Sequence, residues 1–82
     1  MTKQQRDEFL SELYEHQITN GNSSAGYERD HNNPNDNYLE KLNIVKYWIE
    51  KGMVEKQAEA LGFINFRLTS SGIDYVEENL KK

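Results

Sequence analysis

Near the N-terminus apolar residues recur at helical spacing: Phe9, Leu10 and Leu13 form a narrow stripe, with Ile18 at its far end. The spacing predicts a helix from about Lys3 to Gln17. Thr2 stands in N-cap position with Gln5 three residues on, in the order of a capping box. In that motif each side chain satisfies a backbone N–H that the first turn leaves unpaired. Arg6, Glu8, Glu12 and Glu15 take the wetter side. A stripe this narrow has one side to bury and requires a partner.

A second periodic stretch begins at Asp36 or Asn37, either of which suits a helix N-cap, and runs to Lys51. Tyr38, Leu42, Val45 and Ile49 fall on one stripe, which Trp48 widens on one side and Leu39 on the other. Gly52 follows as the expected stop, because glycine takes the left-handed conformation at little cost. Lys51 in the last turn complements the helix dipole.

The period then changes from helical to alternating. Met53 to about Gln57 reads as a strand leaving the helix. "AEALGF" bends the chain, with Gly62 as the residue of positive φ, and Phe63 to Leu68 returns as a second strand. On that returning strand Ile64, Phe66 and Leu68 point one way; Phe63, Asn65 and Arg67 point the other. Thr69, Ser70 or Ser71 caps a final helix with Ile73, Val76 and Leu80 turned inward, and Gly72 in its first turn suits a close approach to the sheet.

The stretch from Thr19 to Asn37 has no such stripe. It is dense in Asn, Ser, Gly and Asp and holds the one proline, Pro34. These residues favour turns, and a segment this long without structure is unusual in a small domain. It reads as a polar loop, with a short helical turn around Ser24 to Asp30 as one option and Tyr27 as its anchor.

Length limits the chain to one domain spanning all 82 residues. With no cysteine there is no disulfide framework and no thiolate metal site. No apolar run is long enough to cross a bilayer and no apolar signal core opens the chain, so the expectation is a cytoplasmic protein without a membrane partner. Ten basic residues against fourteen acidic ones give a net charge of −4. That disfavours broad electrostatic capture of nucleic acid, although one basic face is enough to engage a duplex.

Catalytic chemistry finds little footing. There is no G-x-S-x-G elbow, phosphate loop or dinucleotide fingerprint. The carboxylates lie on helix faces where solvation accounts for them. His31, near Asp30 and Asp36, is the nearest approach to a metal set, and polar loops contain such groupings by chance. The expectation is a protein that is not an enzyme, with no cofactor, metal or small-molecule substrate.

One pattern is more specific. A helix ending in Lys51-Gly52, the apolar pair Met53-Val54, a hairpin, and then Phe66, Leu68, Thr69 and Gly72 before a closing helix resembles the second half of winged-helix domains. Among these the chain is most similar to small phage and prophage proteins of the YjcQ-like kind. The resemblance covers the C-terminal half. It implies an α+β winged helix: a three-helix core with a β-hairpin wing and a C-terminal helix. The chain departs from that pattern at Thr19–Asn37, where the helix preceding the recognition helix would be short, degenerate or missing.

What the resemblance implies for function is a DNA-associated regulator of phage or mobile-element type. Asn43 and Lys46 would then read a major groove from the outer face of the second helix, with Lys51, the wing residue Lys56 and Arg67 holding double-stranded DNA. The alternative is a winged helix used as a protein-interaction or dimerisation module without DNA. Ile44, Tyr47, Phe63 and Tyr75, apolar residues off the main stripes, would then mark the surface for a second copy or a protein partner. Both lie beside a plainer account, in which a solvated helix face carries mixed charge and scattered exposed apolar residues.

Overall fold

In the computed structural model of this chain, residues 2–30, 32–34 and 37–80 are described. His31 and Asp36, weighed above as a metal ligand and a helix cap, lie outside them.

Helix α1 spans Lys3–Thr19. The capping box forms in full: the Gln5 N–H donates to Thr2 Oγ1 at 3.2 Å, and the Thr2 N–H donates to Gln5 Oε1 at 2.9 Å. Phe9, Leu10 and Leu13 are buried, and the stripe continues one turn further to Gln17, which is fully buried. Ile18, expected to extend the stripe, is exposed instead. At 3.6 residues per turn position 17 stays in line with Leu10 and Leu13, and position 18 is rotated away from them.

The chain then turns sharply through Gly21 and Asn22, both at positive φ, and enters strand β1, Ala25–Glu28. This corrects the sequence reading. The segment offered as a helical turn is a strand, and among the described residues no helix lies between α1 and α2. β1 pairs antiparallel with strand β3, Phe63–Leu68, from Ala25 opposite Phe66 to Glu28 opposite Phe63. Its strand character comes from that edge. Ala25 and Tyr27 turn inward, and the Arg29 N–H carries the pairing to the Gly62 carbonyl at 2.7 Å.

Helix α2 spans Tyr38–Glu50. Asn37 occupies the N-cap without a side-chain capping bond. Tyr38, Val45 and Trp48 are buried, and Leu42 and Ile49 pack against the core from its margin. Leu39, read as widening the stripe, is exposed. Gly52, at φ +79°, ends the helix in a Schellman arrangement: its N–H donates to the Ile49 carbonyl, and the Met53 N–H reaches back to the Trp48 carbonyl at 3.0 Å.

Strand β2, Val54–Ala60, is longer than the alternation suggested, and the turn is confined to Leu61 and Gly62. β2 pairs antiparallel with β3, with an irregularity between Lys56 and Ala58, so the sheet order is β1-β3-β2. As the alternation predicts, Ile64, Phe66 and Leu68 of the central strand are buried, together with Val54 opposite Leu68.

Helix α3, Ser70–Tyr75, runs into a π-helical segment, Val76–Leu80. Thr69 caps it, accepting from the Gly72 N–H at 3.0 Å, while its hydroxyl donates to the Gly52 carbonyl at 2.6 Å. One hydroxyl thus ties the start of α3 to the end of α2. Gly72 is buried hard against Met53, the residue that leads into β2: a Cβ there would overlap the Met53 carbonyl oxygen.

The result, among the described residues, is an α+β fold of three helices and a three-stranded antiparallel sheet. Phe9, Leu10, Leu13, Tyr38, Val45, Trp48 and Val76 from the helices close on Val54, Ile64, Phe66 and Leu68 of the sheet. Each such side chain contributes roughly 1.5–3 kcal/mol by leaving water, before chain entropy is subtracted. Trp48 Nε1–H donates to the Arg6 carbonyl at 3.0 Å, and the Tyr14 hydroxyl donates to Glu77 at 2.8 Å, fastening α1 to α2 and to the C-terminal segment. No helix among the described residues is long and apolar enough to cross a membrane.

Candidate interface at the junction of α2 and the hairpin

The five residues proposed for nucleic-acid contact come from three elements, and the structure does not bring them to one surface. Asn43 and Lys46 are exposed on α2 and Lys51 at its cap. Lys56 is on β2 opposite Phe66, which places it on the side of the sheet that faces the helices. Arg67 is opposite Glu55, one residue out of phase with Lys56 and Phe66, and therefore on the other side. Sequence alternation contained that fact for Arg67. For Lys56 it did not, because the strand register is set by pairing.

Where basic side chains do meet, a carboxylate meets them. Glu59 of β2 stands between Lys46 Nζ at 3.3 Å and Lys56 Nζ at 3.2 Å. The hydrogen bond from Lys56, followed by that from Lys46, holds Glu59 below the usual carboxylate range. On the far side of the sheet Arg67 Nε faces Glu55 Oε1 at 3.2 Å, an ion contact off the hydrogen-bonding axis. These pairs are at least partly solvated and individually weak. Their effect on the surface is larger than their effect on stability, because Lys46, Lys56 and Arg67 each already have an acid beside them. Sequence reasoning missed Glu59, which was placed in the turn. In β2 it reaches across to α2.

The interface residues named from the sequence divide in a similar way. Tyr47 and Tyr75 are half-buried and join Trp48 in one aromatic cluster. Tyr47 meets Trp48 edge-on with centroids 5.0 Å apart, and Tyr75 lies 5.5 Å from Trp48. The Arg6 guanidinium sits 4.4 Å over the Tyr47 ring and Lys51 5.6 Å from it. Arg6 and Lys51 therefore cover a tyrosine that the helical projection left outside the core. Phe63 is half-buried on the outward side of the sheet, between Glu28 and Ala60. Ile44 borders a groove on the other flank of α2.

That groove, about 350 Å³, runs between α1 and α2. Phe9 and Tyr27 floor it, with Ile44 at the edge; Glu8, Glu12 and Glu40 stand along it, and Asn43 opens onto it. Phe66 backs the floor, its ring centroid 5.6 Å from Phe9 and 5.3 Å from Tyr27. Burial first, and then the charge of Glu12, pushes the Tyr27 phenol above its ordinary range. Tyr27 was legible as an anchor, but the groove depends on β1, which the sequence did not reveal. Among the described residues no cluster of His, Asp or Glu could hold a metal ion. No known protein family and no curated protein matches the chain.

Proposed function

We propose that this chain is a winged-helix-type domain that works as a protein-interaction module, with no catalytic role. The observation that carries this reading is Glu59, wedged between Lys46 and Lys56 where α2 meets the hairpin. A helix docked in a major groove there would bring that carboxylate, together with Glu40 and Glu50 of α2, toward phosphates. The position of the hairpin directly after α2, the Schellman stop at Gly52 and the Thr69 cap support the winged-helix comparison. A low-salt titration of fluorescent random duplex tests the reading. Anisotropy stays flat at micromolar protein. Binding that weakens steeply with salt and disappears when Lys46 and Lys51 are both changed to Glu would overturn it.

The second reading is a DNA-associated regulator of phage type, acting in the cytoplasm. It draws support from Asn43, Lys46 and Lys51, all exposed on or just beyond α2. The same titration decides between the two.

A further inference from the structure

The groove between α1 and α2 has an apolar floor, an acidic rim and a cation already leaning into it. Lys41 Nζ lies 4.9 Å from the centroid of the Tyr27 ring, so the floor accepts a positive charge on its face. Three carboxylates, Glu8, Glu12 and Glu40, line the groove with that single ammonium. Glu8 accepts an amide hydrogen from Gln4, and among the described residues neither Glu12 nor Glu40 is in an ion pair. The volume is at the lower end of the roughly 300–1,000 Å³ typical of ligand sites, which suits one inserted side chain better than a larger molecule.

We propose that this groove receives an arginine side chain from a short amphipathic segment of a partner protein. The guanidinium would stack on Tyr27 between Glu12 and Glu40, displacing Lys41, and neighbouring apolar residues of the segment would cover Phe9 and Ile44. Arginine suits the site better than lysine because its planar fork can pair with a carboxylate while its face lies on an aromatic ring. Phosphate-bearing ligands are repelled by the same rim. A second copy of this chain is a poor occupant. Arg6 is engaged by Tyr47 and Arg67 by Glu55, which leaves Arg29.

The inference rests on the interaction-module reading, and its test keeps the two apart. Amide spectra of the whole protein are recorded with a short, capped peptide of leucine and arginine, and with the same peptide carrying citrulline for arginine. The arginine peptide shifts the amides of Phe9, Glu12, Tyr27 and Ile44. The citrulline peptide binds about tenfold more weakly, a difference of ~1.4 kcal/mol. The double variant Glu12→Gln, Glu40→Gln, whose changes are both on exposed positions, shows the same loss with its remaining spectrum unchanged. Equal affinity for the two peptides, or a silent groove at millimolar peptide, overturns the proposal. A silent groove with shifts at Phe63 and Asn65 does so while leaving the interaction-module reading in place. Silence at both surfaces together with low-salt duplex binding overturns both. Self-association abolished by Arg29→Gln would reassign the groove to a second copy and likewise overturn the proposal.

Discussion

Gln17 Oε1 accepts the backbone N–H of Leu68 at 2.8 Å, across fifty-one positions of sequence. The bond explains why a fully buried amide ends the apolar stripe of α1. β1 begins opposite Phe66, so the central strand at Leu68 extends past its neighbour on that edge. The side chain of Gln17 stands where the next strand residue would be. Its own NH2 donates to Asn22 Oδ1 at 2.5 Å, in the turn that leads to β1. Replacing Gln17 by Leu keeps the bulk and strands the Leu68 N–H, at a cost of about 1–3 kcal/mol. Urea denaturation checks this, and an unchanged midpoint would show that the bond contributes nothing net.

Gly72 and Gly52 separate two uses of glycine. Gly72→Ala places a methyl group against the Met53 carbonyl, and relieving the overlap should cost about 1–3 kcal/mol. Gly52→Ala meets no atom within 4 Å but must hold a positive φ, for about 1–2 kcal/mol. In thermal melts both variants unfold earlier. The first should also shift amide signals in β2 and α3, whereas the second should disturb mainly the end of α2. A neutral Gly72→Ala would mean that α3 does not lie this close to the Met53 carbonyl.

Trp48 is 5% exposed, and its indole N–H is bonded to the Arg6 carbonyl. Emission from this single tryptophan should be blue-shifted in the folded protein and move to the red in one step with unfolding. Trp48→Phe retains an aromatic ring beside Tyr47 and Tyr75 but loses the donor, and should cost about 1–3 kcal/mol by chemical denaturation.

The lysines on either side of Glu59 lower its pKa, chiefly through the Lys56 hydrogen bond. A depressed folded-state value makes its contribution to stability fully present above the unfolded carboxylate range. That contribution fades as pH falls through the folded value. Carbon-detected titration should find Glu59 protonating below the usual carboxylate range. In Glu59→Gln the two lysines lose their shared counter-charge. Weak duplex binding at low salt should then exceed that of the unmodified protein. Equal binding would show that Glu59 is not what masks this surface.

The local elements could be read from residue types because their causes are local. The Thr2–Gln5 capping box, the glycine stop at Gly52, the positive φ of Gly62 and the alternation from Phe63 to Leu68 each depend on a few neighbouring residues. β1 was hidden for the opposite reason. Ala-Gly-Tyr-Glu has little strand preference of its own, and becomes a strand because β3 offers it an open row of backbone groups. Gln17 looked like the end of a helix for the same reason, since its partner lies on the far side of the fold.

Side-chain chemistry and spacing therefore settled which segments would coil, alternate or turn, because hydrogen bonds and torsions within a few residues govern those choices. The charge pattern at the surface was settled elsewhere. Strand register and packing put Glu59 between Lys46 and Lys56, turned Lys56 toward the helices, and left Phe9 and Tyr27 as the floor of an acidic groove. Those placements depend on contacts between residues distant in the chain, and no local pattern encodes the distance between them.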